Sequence, residues 1–186
     1  MLIAARHLVD RFRHPRSRAD EVRAVRLRLV EQPSAAQASA EQTALARELL
    51  RLRRALIDAL GSVTSCSGCA RHHPEPHGHW AGGHCCGGRT DELFGDDELA
   101  ALRLGGTTPE RLEPPRSDHA GCAFRGPRGC SLEAADRPNL CVRYLCRDLE
   151  RELGDRGDRA EIKALAAQID VAFRRFQRLR QRGPSE

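Results

Sequence analysis

The chain has 186 residues, 40% of them hydrophobic and only 4% aromatic, and its mean hydropathy is −0.56. That length suits one domain with additions, and so few aromatic residues leave Leu, Ala and Val to build the core. The formal charge of +5 is carried almost wholly by arginine, with Lys163 the single lysine; neither aromatic interleaving nor a long basic block points to nucleic acid. No stretch approaches the roughly 18 apolar residues of a membrane span.

The first segment carries Arg6, Asp10, Arg11 and Arg13 where a secretory leader needs an apolar core, so the expected location is the cytoplasm. Val22, Val25 and Leu29 mark a short helix. Residues 31–42 read as a linker running into the next helix. There Leu45, Leu49, Leu52, Leu56 and Ala59 recur at alternating steps of four and three, and Gly61 stops the pattern.

From residue 62 to 89 the chain is rich in Gly, Pro and His, without helical period. Residues 96–106, DDELAALRLGG, form a short helix ended by glycine, and Thr108-Pro109 has the form of an N-cap with proline at the first helical position. Residues 122–130, CAFRGPRGC, read as two short extended pieces around a Gly-Pro turn. Residues 137–154 read as one helix from Pro138 to Gly154. The last helix carries Ile162, Leu165, Ile169, Ala172, Phe176 and Leu179, with Asp158 and Glu161 at capping-box spacing. The stripes of the terminal helices suit packing on each other within the monomer, or on a protein partner or a second copy in a homodimer.

All eight cysteines lie between Cys66 and Cys146. The composition divides the chain into a helical arm (1–60), a cysteine-rich centre (61–155) and a C-terminal amphipathic helix (156–186). In a reducing compartment, cysteines at such density are metal ligands rather than disulfides. The strongest signal is CSGC, Cys66 to Cys69, whose two intervening residues let both thiolates turn to one metal. Cys85-Cys86, Cys122, Cys130, Cys141 and Cys146 follow. Adjacent residues of an extended chain point to opposite faces, so Cys85 and Cys86 are expected to serve different centres.

The eight cysteines would fill two four-sulfur zinc sites or hold an iron–sulfur cluster with ligands to spare; sulfur ligation does not choose between zinc and iron. Cys141 and Cys146, five residues apart, diverge by about 140° on a regular helix, so Cys141 is expected to sit at an irregular helix entry. Fifteen residues separate Cys69 from Cys85, five of them histidine. His84, beside Cys85, and His119, near Cys122, are accessory ligand candidates. Because residues 62–150 hold few aromatics, metal rather than apolar packing is expected to hold them.

The run CSGC, then CC, then GCAFRGPRGCSLEAADRPNLCVRYLC resembles the YkgJ-type cysteine-cluster proteins, described as zinc- or iron-chelating domains. Cys66, Cys69, Cys85 and Cys86 match the first half of that pattern, Cys122, Gly129 and Cys130 the middle, and Arg137, Pro138, Cys141 and Cys146 the end. The resemblance spans residues 62–150. The family spaces CxxC and CC closely, and this chain departs from it by the histidine-rich insert. It implies a metal site rather than a reaction. The expected fold is therefore mostly α with an irregular, metal-stabilised cysteine-rich centre and helical arms at both ends. The expected function is metal chelation, a structural scaffold or electron transfer. An accessory or catalytic subunit of a methyl-transfer enzyme that modifies protein is one alternative; an arginine-rich zinc adaptor for nucleic acid is another. No glycine-rich nucleotide signature and no nucleophile–base pair supports catalysis.

Overall fold

A computed structural model describes residues 18–66, 90–116, 121–126, 129–154 and 156–182. The described chain is mostly helical. Its elements are α1 (Arg18–Glu31), α2 (Ala40–Leu60), α3 (Thr90–Leu93), α4 (Asp96–Leu104), a hairpin of β1 (Arg125–Gly126) and β2 (Gly129–Cys130), α5 (Asn139–Arg143), α6 (Arg147–Glu152) and α7 (Arg159–Gln181). Short 3-10 turns span Pro109–Arg111 and Ala134–Asp136. Among the described residues, no helix is long and apolar enough to cross a membrane.

Local chemistry sets the helix ends. Ser39 accepts from the Gln42 backbone N–H at 3.1 Å, and the Gln42 side chain accepts from the Ser39 N–H at 3.1 Å. This capping box starts α2 at Ala40, inside the stretch expected to be linker. Gly61, at φ +57, ends it. The box expected at Asp158 does not form. Arg156 takes the Asp158 carboxylate, through Nε at 3.0 Å, and donates to the carbonyls of Ala59 and Leu60, both at 2.8 Å. One guanidinium thereby satisfies two of the carbonyls that end α2 and links them to the entry of α7.

The terminal helices pack on each other, so their stripes are covered within the chain. Leu45, Leu49, Leu52 and Leu56 of α2 meet Ile162, Ile169 and Phe176 of α7 in one core, joined by Ala100, Ala101 and Leu104 of α4, Val142 of α5 and Leu149 of α6. A second core gathers Val22, Val25 and Leu29 of α1 with Leu93, Phe94, Leu99, Leu102, Leu112, Phe124 and Leu132. Helix α4 divides its residues between the two, and Leu99, Ala100, Ala101 and Leu102 are all fully buried. Four consecutive helical residues point to all sides of the axis, so this turn of α4 is enclosed between the two cores.

Each core takes residues from both sides of position 60. In the second core the Phe94 and Phe124 rings of the centre lie 5.1 Å apart, packed with Val22, Val25 and Leu29. The described part of residues 62–150 thus takes part in apolar packing. Two phenylalanines in contact do more for packing than the aromatic percentage suggests.

Candidate metal centre

Residues 137–154 are two helices, not one. Tyr144 leaves α5 in an extended conformation (ψ 107°), and Cys146, at φ −70° and ψ 162°, becomes the N-cap of α6. The Cys146 sulfur accepts the Leu149 N–H at 3.4 Å. The break removes the divergence that a continuous helix would impose, and Cys141 and Cys146 open onto the same cavity.

That cavity has a volume of about 280 Å³, and its described walls include all five described cysteines: Cys66, Cys122, Cys130, Cys141 and Cys146. They arrive from separate pieces of chain. Cys122 lies in the turn entering β1, and Cys130 lies in β2, paired with Arg125 across the hairpin. Cys66 lies in the segment after α2 and rests on Gly129. That glycine has φ +108°, a conformation that favours glycine, and a Cβ built on it would lie 3.6 Å from the Cys66 Cβ. Cys122 is buried, Cys130, Cys141 and Cys146 are half-buried, and Cys66 is exposed.

Charged side chains hold the backbone beside three of these cysteines. The Arg18 guanidinium donates to the carbonyls of Cys122 (3.3 Å), Ala123 (3.2 Å) and Arg125 (2.9 Å). The same turn is tied by the Ala123 N–H to the buried Thr90 hydroxyl at 2.9 Å. Glu98, buried on α4, accepts from the Asn139 N–H at 2.9 Å, from the Asn139 side-chain amide at 2.7 Å and from the Leu140 N–H at 3.3 Å. It thus caps the helix that carries Cys141. Glu152 of α6 accepts from the N–H groups of Thr64 (2.7 Å) and Ser65 (2.8 Å) and from both hydroxyls, just before Cys66.

Burial pushes the Cys122 thiol up to about 12, and neighbouring Cys130 adds to the rise, against the Phe124 N–H, the Thr90 hydroxyl and Arg18. Such a sulfur stays protonated at neutral pH unless a metal cation displaces the proton. The walls also carry Arg125, 1% exposed, and Arg137. Two guanidinium groups can offset the net charge of about −2 on a four-thiolate zinc site.

The fit to a metal is therefore one of chemistry: soft sulfur donors line a cavity whose walls also carry positive charge. Among the described residues, no group of three or more Cys, His, Asp or Glu side chains is gathered closely enough to hold a metal ion. No family model, curated protein or solved structure matches the chain. Cys69, Cys85, Cys86, His84 and His119 lie outside the described residues, and with them the expectation that Cys85 and Cys86 serve two centres.

Glu152 gives a pH prediction. The Ser65 hydroxyl, and then the Thr64 N–H, hold its carboxyl down at about 2. A carboxylate depressed in the folded state contributes stability above its unfolded value, near 4.3, and loses that contribution as pH falls toward the folded value. Wild-type protein should melt above Glu152→Gln by a constant margin at pH 6–8. The margin should shrink below about pH 4.5 and close near pH 2. A margin independent of pH would show that the carboxylate charge is not what holds Thr64 and Ser65.

Proposed function

We propose that this chain is a cysteine-cluster metal-binding protein that holds zinc or iron, the latter as an ion or an iron–sulfur cluster. Cys66, Cys69, Cys85, Cys86, Cys122, Cys130, Cys141 and Cys146 supply the ligands, with His84 and His119 as accessory donors. The observation that carries the reading is that five cysteines, from separate pieces of chain, line one cavity. The resemblance to YkgJ-type proteins points the same way. The role that follows is chelation, a metal scaffold for the centre, or electron transfer, in a reducing compartment such as the cytoplasm. The apolar stripes of α2 and α7 pack on each other.

When bound, the metal would supply cationic charge that keeps the thiols deprotonated. The chain's own part is to present the sulfurs, to withhold Cys122 from solvent and to place Arg125 and Arg137 near the charge. Metal analysis and visible absorption of anaerobically purified protein test this. Zinc or iron should be present in stoichiometric amount; a visible band that bleaches on reduction identifies a cluster, and a colourless zinc protein excludes one. Cys122→Ser and Cys141→Ser should each lower the metal content. Protein that purifies free of both metals, and takes up neither, would overturn the reading.

A further inference from the structure

We propose that Arg18, Glu98 and Glu152 are positioning residues of the thiol site, each fixing the backbone on which one cysteine rides. The inference rests on the metal-binding reading and extends it, because none of the three lines the cavity.

The pairing of charge with backbone is consistent. The cation, Arg18, holds three carbonyl groups at Cys122, Ala123 and Arg125. The anions hold N–H groups: Glu98 those of Asn139 and Leu140 next to Cys141, and Glu152 those of Thr64 and Ser65 next to Cys66. Each contact joins distant sequence: Arg18 and Cys122 are 104 positions apart, Glu98 and Leu140 42, and Ser65 and Glu152 87. Charge-assisted hydrogen bonds are about twice as strong as neutral ones, and two or three to one group also fix orientation.

The three clamps come from α1, α4 and α6, helices whose apolar residues sit in the two cores. The packed frame is thus transmitted to the sulfur positions before any metal arrives. A site ordered in advance spends less binding free energy on ordering its ligands. Groups that orient metal ligands without touching the metal are worth about 10–100-fold in affinity.

Cobalt(II) titration of the full reduced chain tests this through the sulfur-to-metal charge-transfer band. Arg18→Met, Glu98→Gln and Glu152→Gln should each weaken cobalt binding about 10–100-fold. The decisive measurement is a double-mutant cycle. The Glu98→Gln effect should vanish in a Cys141→Ala background and persist in a Cys66→Ala background. Glu152→Gln should behave the opposite way, and Arg18→Met should lose its effect only with Cys122→Ala. Should Glu98→Gln fail to fold, Glu152→Gln, at a partly exposed carboxylate, decides. If wild-type protein binds no cobalt, the metal reading fails and takes the clamps with it. If wild-type protein binds and the variants bind equally well, or their losses do not depend on which cysteine is missing, the clamp proposal alone fails.

Discussion

Phe176→Ala is expected to lower the unfolding free energy by about 3–5 kcal/mol, the usual cost of emptying a buried phenylalanine site. Phe176 is fully buried where α7 crosses α2, in the core that also holds Ile162 and Ile169, and its ring stacks on Phe173 with centroids 6.5 Å apart. The cavity cannot collapse easily, because Leu45 and Leu49 belong to a capped helix and Asp97 of α4 is tied to Gln177 (3.1 Å) and Arg180 (2.9 Å) on either side of the next turn. For a chain of this size the melting temperature should fall by on the order of 10 °C. Val171→Ala, on the same helix but 59% exposed, should stay within about 0.5 kcal/mol of wild type. Equal effects at the two positions would mean that α7 is not docked by this face.

The α2–α7 pair was legible in the sequence because both helices are long and keep their apolar period. Leu45, Leu49, Leu52 and Leu56 on one side, and Ile162, Ile169 and Phe176 on the other, are buried as the periodicity predicts. The hairpin at 125–130 was legible for a different reason: its turn residues leave little else open. The break at Tyr144 was visible only as a misfit, in the spacing of Cys141 and Cys146. Nothing in RYLCRD breaks a helix by composition, yet Tyr144 ends α5 and Cys146 caps α6.

The clamps were not legible at all. Glu98 sits in DDEL, where acids in a first helical turn are ordinary. Its partners, Asn139 and Leu140, lie 41 and 42 residues away. Arg18 and Glu152 look like surface charges in a chain that is 31% charged. Arg53 carries the same lesson further. It follows Leu52 on the stripe of α2, and sequence reading assigns an arginine to the solvated side, yet it is fully buried. Only the fold brings Glu98 and Asp136 to it.

That burial makes Arg53→Met the second large effect. Arg53 donates to the Arg137 carbonyl at 3.3 Å. Burial pulls its guanidinium down to about 10, while Glu98 and Asp136 favour its charged form. Burial in turn pushes the Glu98 carboxyl up, against the N–H groups of Asn139 and Leu140 and the charge of Arg53. Methionine fills much of the volume, so the loss is electrostatic. Glu98 keeps its backbone partners and loses a nearby cation to which it is not directly bonded, so the expected cost is about 1–3 kcal/mol. Asp136 is better placed to tolerate the change, since Thr107 donates to it at 2.8 Å and Arg111 pairs with it at 2.9 Å. The penalty should therefore fall mainly on Glu98. Arg53→Met with Glu98→Gln should be more stable than the sum of the single variants predicts, by about 1–3 kcal/mol. Urea unfolding of the four proteins measures the difference. Strict additivity would show that Arg53 stabilises the fold through its Arg137 contact and its packing, and that Glu98 holds the start of α5 without help from the buried cation.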